Sequence, residues 1–144
     1  MSSSARYTCA LMLLTFLAAI IRLLTMQNAG IWFDEAVSLL IAKNNIYHII
    51  TGSPGVSVNP PLYYILLHLW SWIAGGEIGA RLLSVFFGLA AVIMAYLLAL
   101  RLMGERIALL TALIFTVSPF QVYYSQELRM YSLLTFLSLG IMHS

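Results

Sequence analysis

Apolar residues run along most of this chain in stretches longer than the core-facing stripe of a soluble helix, and the polar residues that interrupt them do so with helical spacing. Residues 7–26 form the first run, about 20 residues, which suffices to cross a hydrocarbon core of about 30 Å at about 1.5 Å per residue. Residues 82–100 form the second, uncharged throughout and flanked by Arg81 and Arg101. Along it Gly88, Ala91 and Ala95 set small side chains on one side, as helices packing closely in lipid require. Residues 107–123 predict a third span, kinked near its far end by Pro119, which lacks the N–H that the helical ladder needs. A fourth apolar run begins at Met130.

The pattern changes between the first two spans. Over residues 34–50, Glu35, Ser38 and Asn45, with the small Ala42 between them, share one helical face, while Val37, Leu40, Ile41, Ile46, Ile49 and Ile50 fill the other. This predicts an amphipathic helix lying on a membrane surface, with Asp34 as its N-cap and the turn-forming residues 51–55 as its end. Residues 60–75 would reach only about 24 Å as a helix, too short to span. They carry a polar stripe of Tyr64, His68 and Ser71 and the interfacial aromatics Tyr63, Trp70 and Trp72. They predict a second surface helix opened by Pro60 and Pro61, in which His68 is a member of the stripe and not a catalytic base. Arg22, near the end of the first span, can snorkel to the interface or face the protein interior; snorkelling is the expectation, ahead of a phosphate contact.

Composition makes the class firm. The chain is 62% hydrophobic and 8% charged, with a mean hydropathy of +0.95, against about 25% charged in soluble domains. This predicts an integral membrane protein. The seven basic residues are scattered singly, which excludes a nucleic-acid surface. Cys9 is the single cysteine and forms no internal disulfide. A signal peptide is the alternative for the first run, but that run continues through Arg22 to Met26 without a small-residue cleavage pattern, which favours a retained helix. No repeat or linker divides the chain, so one domain is expected. The final apolar run stops about where the sequence does, and the chain is expected to be the N-terminal part of something longer.

Loop charge orients these elements. Arg6, Arg101 and Arg106 place the N-terminus and the loop between the second and third spans inside. If residues 60–75 lie on the surface, the loops at 28–80 and 124–129 then share the outside, and Asp34, Glu35, Arg81, Glu127 and Arg129 gather at one site. Two of the five acidic residues stand side by side at Asp34 and Glu35, and charges at such a position are expensive and tend to be functional.

Four motifs occur in order: Trp32, Phe33, Asp34, Glu35, Ala36; Asn59, Pro60, Pro61, Leu62, Tyr63, Tyr64; Gly79, Ala80, Arg81, Leu82, Leu83, Ser84; and Tyr124, Ser125, Gln126, Glu127, Leu128, Arg129, Met130, Tyr131. As an ordered set, over about residues 31–137, they resemble the N-terminal part of the family 39 glycosyltransferases of the GT-C superfold, which includes protein O-mannosyltransferases and aminoarabinose lipid A transferases. The resemblance implies an all-α, polytopic membrane enzyme with about four transmembrane helices in this part and two amphipathic juxtamembrane helices in the first outer loop. It implies transfer of a sugar from a polyprenyl-phosphate donor to a hydroxyl on a lipid, glycan or protein acceptor, at the outer face of a plasma or inner membrane. It places the family's catalytic carboxylate on Asp34, and it implies no metal and no other cofactor. Asp34, Glu35 and Glu127 would be the ligands if a metal were used.

The implied chemistry has a physical basis. A hydroxyl is a poor nucleophile and needs a positioned base, whereas a lipid phosphate can leave as an anion if cations meet its developing charge. Arg81 and Arg129, with Lys43 as a further candidate, supply those cations. Glu35 joins Asp34 as a catalytic candidate, and Glu127 would orient the acceptor, hold Arg129, or form a local ion pair at a helix start. Where the family often has a basic residue before the proline pair, this chain has Asn59. The competing functional reading is a non-catalytic membrane module, transporter-like or lipid-carrier-binding, or an inactive truncated stub.

Overall fold

The computed structural model describes residues 3–26, 30–52 and 60–144. These form eight helices: α1 (Ser3–Thr25), α2 (Phe33–Ala42), α3 (Ile46–Thr51), α4 (Pro61–Trp70), α5 (Gly76–Met103), α6 (Glu105–Val117), α7 (Pro119–Tyr124) and α8 (Tyr131–His143). The longest, α5, is the post against which α1, α6 and α8 pack. Gly104 alone joins α5 to α6 at φ 86°, a left-handed conformation in which a side chain would be strained. Small residues allow the close approach. Ala18 of α1, Val92 and Ala99 of α5, and Ala108 and Ala112 of α6 share one buried cluster. The side of α5 bearing Gly88, Ala91 and Ala95 is buried, as the sequence predicts. A Cβ on Gly88 would lie 2.5 Å from the Ser125 Cβ.

Polar groups face in and apolar groups face out. Arg22, Glu35, Ser38, Arg81, Ser84 and Thr116 are buried, while Met12, Phe16, Leu24, Leu110, Ile114 and Ile141 are exposed. Water would penalise this arrangement and an apolar solvent favours it. Only α1 and α5, among the described helices, are long and apolar enough to cross a membrane by length and composition. The 13-residue helices α6 and α8 extend about 20 Å each. The expected third span is divided at Ser118 and Pro119 into α6 and α7, so the structure has two helices of spanning length where four spans were expected. It fits a helical membrane protein.

Arg22 does not snorkel. It is 1% exposed, and its guanidinium donates to the carbonyls of Ala18 at 3.2 Å, Phe115 at 3.2 Å and Thr116 at 3.4 Å. The cause lies across the bundle: Pro119 has no N–H to bond the Phe115 carbonyl, so the end of α6 exposes acceptors that Arg22 caps.

The amphipathic segment is two helices, not one, because Asn45 caps a new helix by accepting the Tyr47 N–H at 3.3 Å. Glu35, Ser38 and Ala42 of its polar face are buried, Asn45 is exposed, and the apolar face divides, with Ile41 and Ile49 buried and Leu40 and Ile50 exposed. The helix α4 is shorter than the expected residues 60–75, and its polar stripe runs from buried Tyr64 through half-buried His68 to exposed Ser71. Tyr64 is buried, and His68 Nδ1 meets the Ala42 carbonyl at 2.7 Å, tying α4 to the end of α2. Tyr63 is not an interfacial ring. It is 1% exposed and its hydroxyl pairs with the Ser84 hydroxyl at 2.9 Å, and burial pushes its phenol up so that it stays neutral. Of the expected turn at 51–55, Thr51 and Gly52 end α3. Residues 53–55 and Asn59 lie outside the described residues.

Candidate functional site

The helix α5 begins at Gly76, six residues ahead of the predicted span, so Arg81 projects from its second turn and does not flank it. This puts Glu77 one turn back, where its Oε1 meets Arg81 Nη2 at 3.2 Å. Arg81 Nη2 also pairs with Glu35 Oε2 at 2.9 Å, and both side chains are 3% exposed. The carbonyls of Gly30 and Gln126 accept from the same guanidinium, each at 3.3 Å.

Glu35 is equally committed. Its Oε2 accepts the Trp32 N–H at 3.1 Å, the reaching-back half of a capping box, and its Oε1 accepts the Leu128 N–H at 3.0 Å. Glu35 therefore holds the start of α2, where Asp34 was expected to act as the cap. Trp32 is the N-cap residue. Leu128, wholly buried in the cluster beneath α2 and α4, pins the 125–130 turn from its other side. One carboxylate thus joins α2, α5 and the turn before α8.

Asp34, next to Glu35, points outward, and Arg129, next to Leu128, is half-buried beside it. Their side chains pair at 2.9 Å, with Asp34 67% and Arg129 17% exposed. Arg129 also lies over the Tyr131 ring, 5.8 Å from its centroid. Arg129 is held by Asp34, and Glu127 stands beside Tyr123 in the lining of the same cleft. Asp34, Glu35, Glu127, Arg129 and five aromatic residues, among them Trp32, Tyr123 and Tyr131, line a cleft of about 350 Å³.

The five residues expected to gather do so, in two layers: Glu35 and Arg81 beneath, Asp34, Arg129 and Glu127 above. Lys43 does not join them. It caps the far end of α2, nine residues and about 13 Å from Asp34. Among the described residues no three of Asp, Glu, His and Cys are placed to hold a metal ion.

Glu77, Tyr123 and Arg22 were not singled out from sequence for these contacts. The spacing of Glu77 and Arg81 is a visible signal once α5 is started at Gly76, and the tyrosines Tyr123, Tyr124 and Tyr131 mark the cleft wall. The rings of Tyr124 and Tyr131 meet edge to face at 4.8 Å. Nothing local announces the long-range bond from Arg22 to Phe115.

Comparisons with protein-family models, curated proteins and solved structures return no match to this chain. The likeness to family 39 remains one of ordered motifs.

Proposed function

We propose that the chain is the N-terminal part of a multi-pass membrane glycosyltransferase that moves a sugar from a polyprenyl-phosphate donor to an acceptor hydroxyl at the outer face, with Asp34 as general base. The observation that carries this reading is the division of the acidic pair: Glu35 is buried with both oxygens bonded, and Asp34 opens on an aromatic-walled cleft beside an arginine.

In the proposed reaction Asp34 accepts the proton of the acceptor hydroxyl as that oxygen attacks the anomeric carbon, and the polyprenyl phosphate departs as an anion. Arg129 meets that charge. Aromatic faces such as Trp32 and Tyr123 offer flat apolar walls for the sugar ring, and Glu127 orients a hydroxyl. Arg81, considered for the phosphate from sequence, serves here as the anchor of Glu35. The test is transfer of a labelled sugar from a polyprenyl-phosphate donor by membranes containing the protein. Wild type should turn over, and Asp34→Asn at matched protein level should lose at least about a hundredfold. Equal transfer by the two would refute the base assignment.

One observation favours a second reading, a module that binds the lipid carrier without chemistry: Arg129 already closes on Asp34 at 2.9 Å. That reading expects donor binding with no transfer in any variant.

A further inference from the structure

At this end of the bundle Arg129 pairs with Asp34, and Arg81 is enclosed by Glu35, Glu77 and the carbonyls of Gly30 and Gln126. A phosphate here needs donors that are not already cancelled. We propose, taking the donor of the preceding reading as ligand, that the first turn of α8 with the Ser132 hydroxyl binds the phosphate of the lipid carrier. The groove beside it holds the first part of the isoprenoid chain.

Three independent features meet there. No side chain caps α8, so its first N–H groups have no partner within the helix and the positive end of its dipole is open to an anion. Ser132, in that first turn, is 4% exposed, and its Oγ has no hydrogen-bond partner. A buried hydroxyl without a protein partner keeps its hydrogen-bonding capacity for a group that enters the groove. Ser132 lines a groove of about 470 Å³ whose walls include Phe120, Tyr124, Tyr131, Leu134 and Leu139, within the size range of small-molecule sites. The neighbouring hydroxyls turn away from the groove's interior: Ser125 bonds the Val122 carbonyl at 2.8 Å and Thr135 the Tyr131 carbonyl at 3.0 Å. The trough is mostly apolar; Gln121 and Ser138 also line it, and Ser132 brings to it a buried hydroxyl without a hydrogen-bond partner.

The groove adjoins the cleft. Tyr124 and Tyr131 wall both, and Arg129 stands over Tyr131. A phosphate at the Tyr131 end lies between the trough, which takes the chain, and the Asp34 cleft, which takes the sugar. Drawing Arg129 toward that phosphate also releases Asp34 from its ion pair, so the donor prepares the base for the acceptor.

The experiment uses membranes containing the full chain and a prenyl phosphate with a photoreactive diazirine on its second isoprene unit. Irradiation should label peptides within residues 119–143. Unlabelled prenyl phosphate should compete, while inorganic phosphate or vesicles of phosphatidic acid at the same concentration should not. Ser132→Ala should weaken labelling about tenfold, and Ser138→Phe, at an exposed groove position, should block the chain without touching the first turn. Labelling confined to the outward faces of α1 and α5, or unchanged in both variants, would overturn the site. Equal competition by inorganic phosphate would overturn the chain groove, and equal competition by phosphatidic acid the isoprenoid assignment. The transferase reading fails separately: a labelled groove without sugar transfer sinks it and leaves the lipid site standing. Transfer with the label elsewhere does the reverse.

Discussion

Asp34 and Glu35 are neighbours in the chain and opposites in environment. Glu35 is enclosed at 3% exposure with an arginine and two backbone N–H groups; Asp34 is 67% exposed with one arginine. A buried ion pair is sustained only when its remaining hydrogen-bonding capacity is filled, and removing one partner strands a charge. An exposed pair is worth little to the fold and can exchange partners. The comparison teaches that, of two adjacent carboxylates, the lower ties three elements together and the upper is tied to the fold by an ion pair at its surface.

The largest effect should come from the lower layer. Glu35→Ala removes the buried carboxylate that pairs with Arg81 and frees the Leu128 N–H, and should destabilise the protein by about 3–5 kcal/mol, read by thermal or denaturant unfolding in detergent. Replacing Glu35 and Arg81 together by leucine and methionine should recover much of that loss; no recovery would mean that the backbone bonds of Glu35, not its charge pair, hold the turn. Next comes Arg22→Met, which uncovers the carbonyls of Phe115 and Thr116 at the break before Pro119. It should cost about 1–3 kcal/mol for each carbonyl left bare. Gly88→Ala drives a methyl into Ser125 and should lose about 1–3 kcal/mol. A neutral result there would show that α7 can move away from α5. The smallest effect belongs to the upper layer: Asp34→Asn should change unfolding by less than about 1 kcal/mol.

Much of this was legible in the chain. The long apolar runs gave α1 and α5, the small residues Gly88, Ala91 and Ala95 gave the packed side of α5, and loop charge gathered Asp34, Glu35, Arg81, Glu127 and Arg129 at one end. The misreadings share a cause: local pattern does not reveal which distant group is short of a partner. Arg22 looks like a snorkelling residue until the carbonyl freed by Pro119 is seen across the bundle. Arg81 looks like a free cation until α5 is started at Gly76, which brings Glu77 beneath it. Asp34 looks like a helix cap because the pair reads alike, yet the reach of a glutamate at the third helical position lets Glu35 return to the Trp32 N–H. Periodicity over 34–50 could not show that Asn45 would begin a second helix.

The division between the two carboxylates is tested most directly by measuring unfolding and sugar transfer on the same Asp34→Asn protein. The account predicts a melting temperature within about 2–4 °C of wild type, and transfer reduced at least about a hundredfold with prenyl-phosphate binding retained. Transfer at the wild-type rate would contradict it, and so would a stability loss as large as that of Glu35→Ala, since Asp34 would then be holding the fold.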